Sequence, residues 1–166
     1  MKKAIIFISL FLLIGLSQAQ VRRGRRPLIE LGPKVSLYLG HNTQFSLGAE
    51  ILVNPLRNLG FRVDLTELSF GEGDTQFFLN LRNLSLDGIL YIPAQGIKPY
   101  VFVGFGVAAD GYTDVAFRGG LGLNYSITRG SDLFVEPGAV IRYNSAADET
   151  RIWFRLSLGG RFGLTK

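Results

Sequence analysis

The sequence contains no cysteine and only one histidine among its 166 residues. Without thiols, the chain has no disulfide framework, no thiol nucleophile and no thiolate metal site. Charged residues make up only 19% of the chain, against 47% hydrophobic residues. After residue 19 no stretch rich in Leu, Ala, Glu and Lys repeats with a period of 3.6. We therefore expect no substantial helix in that part of the chain.

The net charge of +5 comes from the N-terminal end of the chain. Six of the 18 Lys and Arg residues precede Pro27, and all 13 Asp and Glu residues follow it. The remainder of the chain therefore carries a net charge of −1. A nucleic-acid-binding domain has a basic patch on its folded part, so we expect no nucleic-acid partner.

Residues 1–19 have the three parts of a secretory signal peptide. Lys2 and Lys3 precede a largely apolar run of 13 residues, and Ser17-Gln18-Ala19 supplies the small residues of a cleavage site. A transmembrane helix needs about 20 residues, so this run is too short to be one. We predict cleavage after Ala19, and the absence of cysteine excludes a lipoprotein anchor.

Residues 20–27 form a basic tail with four arginines, Arg22, Arg23, Arg25 and Arg26. Charged chain ends are usually solvated, and this is the interpretation we favour. The alternative is contact with anionic lipid head groups, since each nearby Lys or Arg contributes about 1 kcal/mol there. Residues 28–166 then form a single domain.

That domain consists of eight runs in which apolar and polar residues alternate, separated by short turns rich in Gly, Asp and Asn. Alternation places one set of side chains on each face of a strand. We expect β-bulges near Glu67–Leu68 and Arg82–Asn83, where the phase changes. Pro137 is unfavourable inside a strand because it donates no ladder hydrogen bond. The predicted strands are Leu28–Leu39, Gln44–Val53, Leu59–Phe70, Gln76–Ile92, Tyr100–Ala108, Val115–Ile127, Leu133–Tyr143 and Arg151–Leu164.

The composition of the two faces indicates which one lies inside. The polar face is rich in glycine and mixes both signs of charge, which suits the crowded interior of a narrow barrel. The apolar face is almost free of charge, and strands of 9–11 residues or more span a bilayer. We therefore predict an all-β fold, an eight-stranded antiparallel up-and-down transmembrane β-barrel. A secreted, soluble, lipocalin-like barrel with an apolar ligand in its interior is the alternative.

Three segments carry a family resemblance: Lys98–Gly106 (KPYVFVGFG), Arg118–Tyr125 (RGGLGLNY) and Ser157–Leu164 (SLGGRFGL). They resemble the OmpA-like outer-membrane β-barrel domains of diderm bacteria. The resemblance implies a location in the outer membrane and contact with its lipids. It also implies recognition of the last strand by the barrel-assembly machinery through Ser157, Gly159, Phe162 and Leu164. The chain departs from many family members in ending on Thr165-Lys166 rather than on an aromatic residue. We expect a monomer with a structural role in the envelope.

Charged residues of the predicted lumen form the candidate site, because buried charges must be paired. They are expected to form an ion-pair network that fills the lumen, and the alternative is a narrow ion-conducting pore. Arg151 is expected at the outer rim beside Asp148 and Glu149. The members of the predicted network are Glu50, Arg62, Asp64, Glu136, Arg142 and Arg155.

Enzymatic function has little support in the sequence. His41 could meet Glu72 and Asp74 at the outer rim, as a base near a carboxylate. However, turns favour Asp and Gly for backbone reasons alone. No phosphate-binding loop and no metal-ligand spacing is present. We expect neither catalysis nor a metal or cofactor.

Overall fold

The computed structural model of the protein describes residues 26–40, 43–71, 79–80, 84–94, 96–109, 113–128, 130–144 and 148–164. The predicted signal peptide and most of the basic tail lie outside these ranges and remain predictions. None of the described residues forms a helix that is long and apolar enough to cross a membrane. The strand segments are β1 (Ile29–Leu39), β2 (Gln44–Val53), β3 (Leu59–Gly71), β4 (Leu79–Asn80), β5 (Leu84–Tyr91), β6 (Ile97–Ala109), β7 (Thr113–Thr128), β8 (Ser131–Asn144) and β9 (Glu149–Gly163).

The strands form one antiparallel sheet that closes on itself. Apart from β4 and β5, which do not pair with each other, strands that are neighbours in sequence pair, and the first strand, β1, also pairs with the last, β9. The short β4 and the longer β5 both pair with β3 and together make the fourth strand of the barrel. The fold is therefore the predicted eight-stranded antiparallel barrel.

The alternating pattern located the strands closely. Predicted strand 44–53 coincides with β2, whereas predicted strand 133–143 is shorter than β8 at both ends. The difference arises because Ser131 and Asp132 have the composition of a turn, yet they pair with Phe162 and Arg161 on β9.

One of the two expected bulges occurs in β3. On the β2–β3 ladder, Ala49 pairs with Thr66 and Glu50 pairs with Asp64, which leaves Leu65 as the extra residue of a bulge. The bulge thus lies two residues before the predicted position at Glu67–Leu68. The second predicted bulge, at Arg82–Asn83, lies outside the described residues.

Pro137 is accommodated by a gap in one ladder. It pairs with Leu156 on β9, while the pairing of β8 with β7 stops at Glu136 and Pro137 and resumes in the same register. Pro33 shows the same arrangement, with an intact ladder to β2 and a gap toward β9. Each proline therefore directs its missing donor to one side of its strand without shifting the register.

Burial is inverted relative to a soluble protein. Outward side chains are apolar and exposed, with Val103 at 71% and Phe117 at 60%. Inward side chains include Arg62, Arg155 and Arg161, all at 1% exposure or less. A polar lumen inside an apolar wall is the arrangement of membrane barrels.

Candidate functional site: the charged lumen

Arg62, which points inward from β3, lies at the centre of the lumenal ion pairs. Its Nη1 atom is 2.5 Å from Glu136 Oε2 and 3.2 Å from Glu50 Oε2. Its Nε atom donates a hydrogen bond of 2.6 Å to Asp87 Oδ2. The three carboxylates belong to β8, β2 and β5. One guanidinium group therefore joins four strands across the lumen.

A second group of ion pairs lies around Asp64. Lys34 Nζ is 2.8 Å from Asp64 Oδ2, and Arg118 also pairs with this carboxylate. Arg118 holds Asp87 in a bidentate pair, with Nε and Nη2 each 2.6 Å from a carboxylate oxygen. Such two-point contacts fix the orientation of both groups. Because Asp87 also accepts from Arg62, the two groups of ion pairs form one network.

The last strand, β9, supplies two further arginines. Arg155 Nη2 donates to Glu136 Oε1 at 2.5 Å, and Arg161 Nε donates to Glu50 Oε1 at 2.7 Å. Arg161 also donates to the side-chain oxygen of Asn124 at 2.8 Å. Glu50 and Glu136 each therefore accept from more than one arginine, which satisfies several lone pairs of each carboxylate.

Aromatic rings complete the surroundings of the guanidinium groups. The Cζ atom of Arg161 lies 4.2 Å from the ring centroid of Phe134, and that of Arg62 lies 4.9 Å from the ring centroid of Phe102. Cations at these distances are attracted to the face of the ring. The inward aromatic residues thus stabilise arginines that are removed from water.

Glycine provides the space that these groups require. A Cβ atom on Gly104 would overlap the carboxylate of Asp87, which lies opposite on β5. A Cβ atom on Gly159 would lie 2.6 Å from the ring of Phe134. The glycines of the polar face therefore mark the positions at which large inward side chains cross the lumen.

The buried charges of the described residues balance. They comprise five cationic side chains, Lys34, Arg62, Arg118, Arg155 and Arg161, and five carboxylates, Glu30, Glu50, Asp64, Asp87 and Glu136. A buried ion needs a partner to offset its desolvation. Because the numbers of buried cations and carboxylates are equal, each charge can be compensated, and these residues give the lumen no net charge.

The rim where β1 begins, here called the N-terminal rim, contains buried apolar side chains and the hydrogen bonds of an uncharged side chain. Leu52 and Ile89 are fully buried there together with Tyr91. Asn54 donates to the carbonyl oxygen of Pro27 and to Glu30, each at 3.1 Å. A buried apolar and aromatic cluster therefore lies beside the charged network near this rim.

The structure brings five of the six predicted network residues together: Glu50, Arg62, Asp64, Glu136 and Arg155. Arg142 lies elsewhere, because it is six positions from Glu136 along β8, a distance of about 20 Å in a strand. Its Cζ atom lies 5.5 Å from the ring centroid of Trp153.

The prediction omitted Lys34, Asp87, Arg118 and Arg161 from the network. Lys34, Arg118 and Arg161 all fall on polar faces in the sequence. Asp87 was also detectable, since the outward positions Leu84, Leu86 and Leu90 place residue 87 on the inner face of that strand.

Three residues of the predicted assembly signal, Ser157, Gly159 and Phe162, lie on β9, and Leu164 directly follows it. Ser157 is fully buried and forms a hydrogen bond of 2.9 Å with Ser36 on β1. Phe162 and Leu164 point outward and are 49% and 59% exposed. Recognition of these residues by an assembly machinery remains a prediction.

At the rim opposite the N-terminal rim, Arg151 Nη2 pairs with Glu149 Oε2 at 2.7 Å, where both side chains are about half exposed. Asp148 accepts a hydrogen bond of 3.0 Å from the hydroxyl of Tyr143. His41, Glu72 and Asp74, the basis of the enzyme hypothesis, lie outside the described residues.

No protein-family model and no curated protein sequence matches the chain. Among solved structures it is similar to the crystal structure of Neisserial surface protein A (NspA), with a TM-score of 0.58 and 15% identity over 82% of this chain and 96% of that one. It is also similar to the N-terminal β-barrel domain of Pseudomonas aeruginosa OprF, with a TM-score of 0.52 and 14% identity over 82% and 98% of the two chains. At this identity the similarity establishes the fold, and the chain has the fold of small, OmpA-like, eight-stranded outer-membrane barrels.

Proposed function

We propose that the protein is an integral outer-membrane barrel of a diderm bacterium, with a structural role in the envelope and a lumen filled by its own ion pairs. The observation that carries this proposal is the inverted burial. Arg62 is fully buried while Val103 is 71% exposed, and such an outer surface needs hydrocarbon around it. The similar folds of NspA and the OprF barrel domain support this location.

The filled lumen favours a structural role over transport. An eight-stranded barrel is just wide enough for its interior to be filled by side chains. Arg62 contacts carboxylates from three other strands, so the network spans the interior from wall to wall. The same network argues against the lipocalin-like alternative, because an apolar ligand would have to be accommodated among buried charges.

We infer that the protein acts as a monomer whose partners are membrane lipids and, during biogenesis, the barrel-assembly machinery. A closed barrel pairs the backbone groups of all its strands within one chain. The ladder between β1 and β9 completes this closure without a second copy. A structural role requires no catalytic group, and we propose none.

Fractionation of cell envelopes tests the location. We expect the mature protein in the detergent-extracted outer-membrane fraction, with a gel mobility that changes on boiling because the closed barrel resists unfolding by detergent. Recovery in the soluble fraction without a heat-modifiable band would overturn the membrane assignment and restore the soluble alternative.

Recording in planar bilayers tests the filled lumen. A filled barrel gives no discrete conductance steps, whereas a narrow pore gives steps that change when Arg142 is neutralised by Arg142→Gln. Steps in the native protein together with this dependence would replace the structural proposal by the pore.

A further inference from the structure

The outer wall carries a long apolar trough that crosses six strands. It has a volume of about 1050 Å³, comparable with the roughly 300–1,000 Å³ of small-molecule sites. Its lining is almost entirely apolar, and its outward side chains include Val35, Leu47, Leu123 and Leu158. These residues belong to β1, β2, β7 and β9.

The register of the strands explains the trough. Its floor follows one row of paired residues from Gly48 through Lys34, Gly159 and Phe134 to Asn124. Side chains in this row either point into the lumen or are absent, so the outer surface of the row is backbone.

Two neighbouring rows of outward residues form the walls. One wall contains Leu47, Val35, Leu158 and Val135 in continuous register. The other contains Ala49, Pro33, Gly160, Leu133 and Tyr125, and its small members leave the trough wide.

The dimensions of the trough match one leaflet of a bilayer. Five strand spacings give a length of about 24 Å. Since barrel strands tilt by about 35–45° from the membrane normal, a row perpendicular to them descends about 14–17 Å through the membrane. Half of the hydrocarbon layer is about 15 Å thick. The trough therefore spans the depth of one leaflet, which is the depth that an acyl chain of a phospholipid occupies.

The position of the trough selects the leaflet. Its lower end lies at the N-terminal rim, where Ile97 begins β6 and Tyr125 lies near the end of β7. Its upper end lies near the middle of the wall, at Leu47 and Gly48 on β2. Tyrosine is enriched where membrane meets water, so Tyr125 marks the head-group end.

We propose that this trough holds an acyl chain of a phospholipid from the leaflet at the N-terminal rim. The proposal rests on the membrane location proposed above. A second copy of the chain fits less well, because the protruding residues Val103, Phe117 and Leu121 lie on a different part of the wall. A contact between these protruding residues of one copy and the trough of another is head-to-tail and does not close into a dimer.

The test uses the same substitution at two places on the wall. Val135→Trp fills the trough, whereas Val103→Trp adds the same ring to the protruding surface. Phospholipid retained after purification in mild detergent is measured by mass spectrometry. We expect retention to fall about tenfold in Val135→Trp, the change that 1.4 kcal/mol of lost binding produces, and to be unchanged in Val103→Trp. Equal retention in the two variants would overturn the proposal.

A second measurement does not depend on the variants. The native protein is reconstituted with a phospholipid that carries a photoreactive group on its acyl chain. Crosslinks concentrated on β8 and β9 support the proposal, uniform labelling of the wall overturns it, and crosslinked dimers in place of lipid adducts identify a second copy as the occupant. Each sample is also checked for the heat-modifiable band. If the band is present, uniform labelling or crosslinked dimers contradict only the lipid site. If the band is absent, the barrel has not inserted, and the proposed function itself is contradicted.

Discussion

The ion pairs of the lumen and those of the rims use the same residue types in different surroundings. Arg62 pairs with Glu136, and their side chains are 0% and 1% exposed. Arg151 pairs with Glu149, and their side chains are 52% and 49% exposed. Water screens the exposed pair and competes for its hydrogen bonds, so exposed pairs contribute about 0–1 kcal/mol. The buried groups have only one another, so each depends on all its partners.

The largest effect is expected from Arg62→Met, which leaves Glu50, Asp87 and Glu136 without their shared cation. Breaking a buried ion pair from one side costs about 3–5 kcal/mol. We expect this loss in urea unfolding of vesicle-inserted protein, measured from the heat-modifiable band. Arg151→Met is the matched control, with a change below about 1 kcal/mol. Equal losses in the two variants would remove the distinction between lumen and rim.

Glu136→Gln comes next. The amide keeps the shape of the side chain but removes the negative charge that accepts from Arg62, Arg155 and Tyr100. Hydrogen bonds to charged groups contribute about 1.5–3 kcal/mol each, and some of this is retained by the amide oxygen. We expect a loss of about 2–3 kcal/mol by the same unfolding assay, and a change near zero for Glu149→Gln.

The space beside the network provides a third test. Gly104→Ala places a methyl group against the carboxylate of Asp87, whereas Gly130→Ala meets nothing within 4 Å. Overpacking costs about 1–3 kcal/mol, so only the first variant should be destabilised. Unchanged stability of Gly104→Ala in the unfolding assay would show that the network yields to added volume.

The smallest effect is expected at the half-open pair of Lys98 and Asp132, whose side chains are 33% and 12% exposed. We expect Lys98→Met to lower the free energy of unfolding by less than about 1 kcal/mol. This difference should shrink as salt is raised, because the Debye length falls to about 3 Å at 1 M. The effect of Arg62→Met should persist in high salt. A salt-sensitive Arg62 effect would mean that water reaches the centre of the lumen.

The alternation of apolar and polar residues predicted the fold more completely than it predicted the site. Leu84, Leu86 and Leu90 face outward as their pattern indicates, and the same holds for the arginines of β9 that face inward. A pattern of period two assigns each residue to a face. Closure follows once the apolar faces are assigned to lipid, because a sheet there must leave no unpaired edge.

The pairing of charges could not be obtained in this way. Arg62 and Glu136 meet across the lumen from β3 and β8, strands that do not pair with each other. Their meeting depends on the stagger between strands around the barrel, which a single sequence does not display. Arg142 has a different cause, because it shares a face with Glu136 but lies six positions further along the same strand, β8.

Because β1 pairs with β9, the barrel can close only after the last strand has been made. Until β9 is present, β1 and β8 each keep an unpaired edge, and Glu50 and Glu136 lack Arg161 and Arg155. The hydrogen bond between Ser36 and Ser157 spans 121 positions of sequence. A chain that ends early therefore loses its last ladders and part of its charge compensation at once. Such a truncated product exposes unpaired strand edges and unpaired carboxylates that are covered in the full-length barrel.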